Sequence, residues 1–229
     1  MNTKHKKPTL TKKQRHRLRV QQVRRQKIFL TCLFLLIVGC ILLRFSKFSG
    51  RQEEAHQLNA ACEAYRDEVS SEAAQYDMSD YVDLLLAVMM QESSGQGTDP
   101  MQSSEGAYNT RYPQQPNGIT DPSYSISCGI QELKYALDKA GCTGPTDLSK
   151  IRLALQAYNF GADSYFAYLE ENGQTVWTAQ SAQAFAQMAS GGTRRDEDDP
   201  LHDPAGPWDY GDQYYPDHVL RYYHLDNNS

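Results

Sequence analysis

One apolar helical run in the sequence ends in a single carboxylate: Tyr81-Val82-Asp83-Leu84-Leu85-Leu86-Ala87-Val88-Met89-Met90-Gln91-Glu92. A loop of small residues follows at once, Ser93-Ser94-Gly95-Gln96-Gly97. The run predicts a buried helix over 81–91 with Ser79-Asp80 as its cap. Desolvation and the helix dipole both disfavour an anion at the C-terminal end of such a helix, so the pKa of its carboxyl group rises. Glu92 is therefore the candidate general acid.

The rest of the sequence predicts more helices around this run. A long loop over 93–123 leads to Asp121-Pro122-Ser123, a helix start, and then to an apolar stripe at Ile126, Ile130, Leu133 and Leu137. Asp147-Leu148-Ser149 leads into a second stripe at Ile151, Leu155 and Tyr158. Further helices are expected over 53–77, 162–171, 176–189 and 214–223, with a Gly/Pro/Asp-rich connection over 190–211. The expected fold class is mainly α, with one core.

Charge is divided unevenly along the chain. The net charge is −5, yet residues 1–27 hold eleven Lys or Arg and no acid, whereas residues 52–229 hold nine Lys or Arg and all 28 Asp or Glu. Between them, residues 28–43 are uncharged and apolar. This order predicts a basic cytoplasmic segment (1–27), a single transmembrane helix (28–43), a linker (44–52) and an extracellular domain (53–229).

Other interpretations of the N-terminus are less favoured. A cleaved signal peptide is less favoured because the sequence after the apolar run, Arg44-Phe45-Ser46-Lys47, offers no clear small-residue cleavage site. Ile37-Val38-Gly39-Cys40 resembles a bacterial lipobox, so lipidation at Cys40 stays open, and it would also tether the domain outside the cell. The basic block also suits a nucleic-acid arm, but a topology signal in contact with anionic lipid explains it better beside an apolar span. No nucleic-acid partner is expected.

The cysteine and histidine content predicts neither a disulfide framework nor a metal site. Cys32 and Cys40 fall in the apolar span, which leaves Cys62, Cys128 and Cys142. A Cys128–Cys142 bridge and three buried thiols both remain open. No His/Cys/Asp spacing suggests metal ligands, and no metal or other cofactor is expected.

Short motifs in a fixed order carry a family resemblance: Met89-Met90-Gln91-Glu92-Ser93, Met101-Gln102-Ser103-Ser104-Glu105, Asp121-Pro122 with Gly129, Ala157-Tyr158-Asn159-Phe160-Gly161, and a terminal segment over 210–222. Over about residues 55–225 the chain resembles the lysozyme-like fold of soluble lytic transglycosylases and goose-type lysozymes. It is more similar to lysozyme-like domains carried by conjugative elements of Gram-positive bacteria.

The resemblance implies a muramidase acting on peptidoglycan glycan strands, at the β-1,4 bond between N-acetylmuramic acid and N-acetylglucosamine. It also implies a role in opening the wall for a conjugation or type IV secretion apparatus, whose channel proteins are candidate partners. Members often carry a second, cysteine endopeptidase domain; this chain ends at Ser229 without one, so peptide cleavage is not expected. The segment 106–118 is longer than expected for the lysozyme-like domains of conjugative elements.

Glu92 is the expected acid of this site. Gln102 and Asn159 would hydrogen-bond the N-acetylated sugar, and Tyr158 would orient Glu92, stack on a ring or belong to the core. The other predicted substrate-binding residues are Ser93, Ser103, Glu105 and Asp121. Loop solubility explains Ser103 as well as sugar contact does.

Two questions about the chemistry stay open at this stage. Asp99, Glu105 and Asp121 are candidates for a second carboxylate, while attack by the substrate's own N-acetyl group would need none and would give a 1,6-anhydro product. The other class of function is a non-catalytic glycan-binding or scaffold subunit. Glu92, Gln102 and Tyr158-Asn159 favour the enzyme, because a binding module has no need of an acid.

Overall fold

Helices form nearly all the regular structure in the computed structural model, which describes residues 56–224. The α-helices are α1 (Ala60–Glu63), α2 (Arg66–Ala73), α3 (Val82–Ser93), α4 (Pro122–Ala140), α5 (Leu148–Phe160), α6 (Ala162–Glu171), α7 (Ala179–Ala189), α8 (His202–Ala205) and α9 (Tyr215–Leu220). Two 3₁₀ helices, Ala74–Tyr76 and Ser79–Tyr81, precede α3. Across the described range, β pairing is confined to one isolated bridge between Arg194 and Trp208. The prediction of a mainly α fold is confirmed.

The predicted membrane anchor, residues 28–43, lies outside the described residues, as do the flanking segments 1–27 and 44–52. Among the helices of residues 56–224, none combines the length and apolar character needed to cross a bilayer.

Helix α3 runs through the centre of the core. Its residues from Leu84 to Met89 are all completely buried, as expected for a helix that is apolar on every side. Helices α1, α2 and α9 pack against α3, and α4 packs along α5. The end of α3 is thus surrounded by protein, which decides the environment of Glu92.

Helix α4 begins where its sequence signals predicted. Asp121 caps it by accepting a hydrogen bond from the Ser123 N–H (3.2 Å), and Pro122 occupies the first turn, where its missing N–H is not needed. The helix ends at Gly141. The apolar stripe of Ile126, Ile130, Leu133 and Leu137 is buried, as predicted.

Several predicted helix bounds are wrong. The helix predicted over 53–77 is broken into α1, α2 and a 3₁₀ turn, because the Asn59 side chain caps a new start at Ala60 and the chain turns again before Arg66. The Ser79-Asp80 cap is replaced by a 3₁₀ turn, and α3 spans Val82–Ser93 without a side-chain cap.

Helix α7 starts at Ala179 rather than at 176, since Thr178 and Ser181 form a capping box there. The terminal helix is shorter than the predicted 214–223, because α9 spans only Tyr215–Leu220. Helix α6 has the predicted bounds, 162–171.

The three cysteines of the described range are free thiols. Cys62 and Cys128 are buried, and the Sγ of the half-buried Cys142 lies 3.6 Å from the Tyr81 hydroxyl and 3.3 Å from the Gly144 carbonyl oxygen. The Cys128–Cys142 bridge is not formed, which leaves the alternative of unpaired thiols.

A buried arginine organises the segment that leads into α9. The Arg195 guanidinium donates to the carbonyl oxygens of Gly206 (2.7 Å), Trp208 and Gly211 (2.8 Å). Three backbone carbonyl oxygens thus bind a guanidinium whose residue is only 9% exposed. The path of this segment fixes where α9 meets α3.

Candidate active site

Glu92 is the last residue but one of α3. The helix ends there because Ser94 adopts a left-handed conformation (φ 56°) and Gly95 follows with φ 71°. Gly95 also lies against α1, where an added Cβ would come within 2.8 Å of the Cys62 backbone nitrogen. The end of α3 is therefore fixed by backbone conformation and by close packing.

The Glu92 carboxyl group is enclosed by protein, although the residue keeps part of its surface exposed. Burial raises the pKa of this group to about 7, and the charges of Asp212 and Asp99 act in the same direction. The Tyr215 hydroxyl donates to Glu92 Oε1, which favours the anion and lowers the pKa. The balance leaves a carboxyl group that gains and loses its proton near neutral pH.

Two tyrosines stand beside the acid. The rings of Tyr158 and Tyr215 stack with centroids 6.3 Å apart and an interplanar angle of 20°. Burial holds the pKa of both phenols well above the usual value, so both remain protonated donors. Tyr158 donates to the Met101 carbonyl oxygen (2.9 Å). It thus links α5 to the loop after α3 and supports the tyrosine that contacts Glu92.

Asn159 and Asp212 join α5 to the C-terminal segment. The Asp212 N–H donates to Asn159 Oδ1 (2.7 Å), and its carbonyl oxygen accepts from Gln156 Nε2 (2.8 Å). Asp212 Oδ2 pairs with His218 Nδ1 at 2.5 Å. The side-chain oxygen of Asn159 therefore holds the segment that carries Tyr215.

Asp99 is the centre of a buried hydrogen-bond cluster. Its carboxylate accepts from the backbone N–H groups of Ser103 (3.1 Å) and Ser104 (3.2 Å), and from the hydroxyls of Ser104 and Ser125 (2.6 Å). The Ser103 hydroxyl donates to the Ser125 carbonyl oxygen (2.9 Å). The cluster fastens the loop after α3 onto α4. Ser103 is 1% exposed, so its hydroxyl is committed within the protein.

Gly129 of α4 lies under the same loop. An added Cβ there would fall 2.6 Å from the Met101 Cβ. Met101 and the first turns of α4 are therefore in direct contact, which gives the Met-Gln and Asp-Pro…Gly motifs a common packing role.

The remaining predicted residues have mixed placements. The Ser93 hydroxyl donates to the Pro100 carbonyl oxygen (2.7 Å), and Gln102 is exposed with its Nε2 donating to the Asp99 carbonyl oxygen (2.9 Å) and Asn117 Oδ1 (3.0 Å). Glu105 is exposed. Asp121 caps α4 and lines a separate surface cavity of about 610 Å³.

The structure thus brings Glu92, Tyr158 and Asn159 together through Tyr215 and Asp212. It does not place Ser103 or Asp121 with them.

Sequence reasoning missed Glu132, on α4. Burial raises the pKa of its carboxyl group to about 7. A hydrogen bond from the Tyr108 backbone N–H lowers this pKa, and the negative charges of Asp99 and Glu92 raise it further. Its position three residues after Gly129 and next to buried Leu133 was the available signal, since it places the side chain toward the protein. Tyr215 and Asp212 lie in the terminal segment 210–222 that carries part of the family resemblance, but nothing in that segment predicted a contact with Glu92. Within residues 56–224, no group of three or more His, Cys, Asp or Glu side chains is arranged to hold a metal ion.

Comparison with known proteins agrees with this architecture. The sequence pattern of the lysozyme-like family matches residues 60–223. The chain therefore belongs to the lysozyme-like family.

Individual proteins of known sequence or structure are also similar to this chain. The chain is 35% identical over 173 residues to the bifunctional muramidase/DL-endopeptidase CwlT of Bacillus subtilis, covering 76% of this chain and 43% of CwlT. It is 39% identical over 111 residues to the uncharacterized membrane protein YocA of the same organism, covering 48% of this chain and 45% of YocA. The crystal structure of an NLP/P60-family protein described as similar to lipoprotein, from Staphylococcus aureus, superposes with a TM-score of 0.62 at 27% identity, covering 76% and 56% of the two chains. This chain thus spans less than half of the two Bacillus relatives.

Proposed function

We propose that this protein is a peptidoglycan muramidase that cleaves the β-1,4 bond between N-acetylmuramic acid and N-acetylglucosamine, with Glu92 as the general acid. One observation carries the proposal: a carboxyl group with a pKa of about 7 stands at the end of a buried helix, with a phenol donating to it. Membership of the lysozyme-like family supports it, and so does the similarity to a protein named as a muramidase.

The acid acts by protonating the glycosidic oxygen as the bond breaks. Glu92 must hold its proton when substrate binds, and burial together with Asp212 and Asp99 favours that state. Once the proton has left, the Tyr215 hydroxyl stabilises the carboxylate that remains. A single site thereby serves both protonation states, which a general acid requires.

Substrate contacts follow from the groups exposed near the acid. Gln102 is exposed on the loop after α3, and its side-chain oxygen can accept from a sugar amide or hydroxyl. The Asn159 amide nitrogen can donate to an N-acetyl oxygen. Ser93 and Glu105 stay candidate contacts at the cleft edge.

Zymography and turbidity clearing on Gram-positive cell walls test the proposal. The full-length chain, purified in detergent, is compared with Glu92→Gln. We expect clearing by the parent and none by the variant, with both proteins equally folded by circular dichroism. If neither protein clears the wall while both still bind glycan, the non-catalytic scaffold becomes the better account.

We also propose that residues 28–43 anchor the protein in the cell membrane, with residues 1–27 cytoplasmic, 44–52 as linker and 53–229 outside. The basic block, the apolar run and the acidic remainder support this topology, and a relative is named as a membrane protein. Protease added to intact protoplasts should remove residues 53–229 and leave an N-terminal tag protected. A protected C-terminal domain would reverse the topology.

The proposed biological role is local opening of the wall for a conjugation or type IV secretion apparatus, on the family resemblance alone. Transfer of a conjugative element from a donor carrying Glu92→Gln should fall, and the parent gene should restore it. Unchanged transfer would separate the enzyme from that apparatus.

A further inference from the structure

The carboxyl group of Glu132 occupies a space that only a glycine can leave open. An added Cβ at Gly106 would lie 1.3 Å from Glu132 Oε1 and 2.3 Å from its Cδ. Gly106 is not among the residues with positive φ. The contact with Glu132, and not backbone conformation, is therefore what glycine permits there. The Glu132 side chain, on α4, therefore lies against the loop that follows Glu105.

The Glu132 side chain is half-buried, and its Oε1 atom is enclosed by protein. Its Oε1 has no hydrogen-bond partner among the described residues, whereas the carboxylate of nearby Asp99 accepts from two backbone N–H groups and two hydroxyls. The Tyr108 backbone N–H donates to the Glu132 carboxyl group, but a buried oxygen atom that is left without a donor still opposes folding. In native proteins, a bound water and a catalytic role are among the explanations for such an atom.

The neighbours of Glu132 are the groups of the candidate active site. The charges of Asp99 and Glu92 act on it, and Glu132 in turn acts most strongly among the charged groups on Tyr158. The other carboxylates considered from the sequence are placed differently. Asp121 caps α4 beside another cavity, and Glu105 is exposed to solvent.

We propose that Glu132 is a second catalytic residue, the carboxylate that takes a proton from the water attacking the sugar. The inference rests on the proposed muramidase function. The water oxygen bonds to the anomeric carbon and gives one proton to Glu132, while the bond to the leaving oxygen breaks and that oxygen takes the proton of Glu92. The two carboxyl groups exchange one proton through solvent to restore the starting state. The product is a reducing sugar formed by hydrolysis.

Mass spectrometry of the products tests this role. The full-length chain, Glu132→Gln and Glu92→Gln act on purified glycan strands, and a 1,6-anhydro product is about 18 Da lighter than the hydrolysed one. We expect hydrolysed product from the parent and about 100-fold slower hydrolysis by Glu132→Gln, with the remaining product enriched in the anhydro form. The melting temperature of Glu132→Gln should be no lower than that of the parent, because the variant removes a carboxyl group with one unpartnered oxygen.

A second variant reaches the same carboxyl group from the opposite side. Gly106→Ala adds a methyl group where the Glu132 carboxyl lies, and the flexible side chain must move away. We expect the same change of product as for Glu132→Gln, and no further change when the two are combined. Sodium formate should restore hydrolysis to Glu132→Ala by supplying the missing base. The control is Glu170→Gln, an exposed glutamate of α6, which should match the parent.

The outcomes separate this inference from the proposed function. If the parent does not cleave glycan, the muramidase proposal fails and this one fails with it. If Glu92→Gln is inactive but Glu132→Gln keeps the rate and products of the parent, Glu132 alone is excluded. A parent that releases only the anhydro product also excludes it, because no water then attacks.

Discussion

Asp99 and Glu92 are carboxylates on either side of the same loop, yet they are supplied with hydrogen bonds in opposite ways. Asp99 is 1% exposed and accepts from two backbone N–H groups and two hydroxyls. Glu92 is enclosed too, but within the described range its carboxyl group accepts a hydrogen bond from a single phenol, that of Tyr215. One enclosed carboxylate thus fastens a loop, and the other, whose residue keeps part of its surface exposed, is the proposed acid. The number of donors, rather than depth alone, distinguishes the two roles.

The largest effect should follow Glu92→Gln. An amide cannot supply the proton, so turnover should fall about 10²- to 10⁴-fold. Stability should move the other way. The native pKa of Glu92 is raised from 4.5 to about 7, so the native state binds the extra proton in that window and the stability of the parent falls as pH rises through it.

The variant should therefore gain up to about 3 kcal/mol in unfolding free energy at pH 8, and much less at pH 4. Urea unfolding at both pH values measures this. A variant less stable than the parent at pH 8 would show that Glu92 is held as a structural anion, as Asp99 is.

Asp99→Asn should produce the converse result. The new amide nitrogen is a donor, and it would face N–H and O–H groups that now donate to a carboxylate oxygen. The unfolding free energy should therefore drop by about 3 kcal/mol. The control is Asp138→Asn, which removes an exposed ion pair with Lys134 and should change stability by less than about 1 kcal/mol. Chemical denaturation measures both. Equal stability of Asp99→Asn and the parent would remove the distinction drawn between the two carboxylates.

Tyr215→Phe removes the hydroxyl that donates a hydrogen bond to Glu92. Without the hydroxyl the pKa of Glu92 should rise further, since that hydrogen bond is what lowers it. Parent activity should decline as pH rises through about 7, where Glu92 loses its proton. In the variant this decline should move to higher pH, with the maximal rate about tenfold lower. A pH profile of kcat/KM measures the shift. A profile that moves to lower pH would contradict the assigned hydrogen bond.

The smallest effect is expected for Ser103→Ala. Its hydroxyl donates to the Ser125 carbonyl oxygen, so its loss should lower the unfolding free energy by about 1 kcal/mol. KM should stay the same, because this hydroxyl belongs to the Asp99 cluster. A KM several-fold higher at unchanged stability would return Ser103 to the sugar-binding role predicted from sequence.

Local patterns predicted what depends on neighbours in the chain. The apolar run before Glu92, the Asp121-Pro122 start of α4 and the bounds of α6 are all set by periodicity or capping, and all agree with the structure. The helix predicted over 53–77 failed because good helix formers hide the cap at Asn59 that starts a separate short helix.

The candidate site was less predictable because its geometry is tertiary. Tyr215 contacts Glu92 across 123 positions of sequence, in a segment that Arg195, Gln156 and Asn159 hold by hydrogen bonds. In the sequence, Glu132 is one polar residue of an amphipathic helix. Its environment depends on the loop residue Gly106, which packs against its carboxyl group. Ser103 looked free to bind a sugar because a buried Asp99 cluster leaves no trace in local sequence.

The hydrogen bond between Glu92 and Tyr215 joins residues 123 positions apart. Chains are synthesised from the N-terminus, so Glu92 is made long before the phenol that donates to it. A growing chain, or one clipped ahead of α9, would carry Glu92 without its partner. The order of synthesis thus delays the contact between Glu92 and Tyr215 until almost the whole domain has been made.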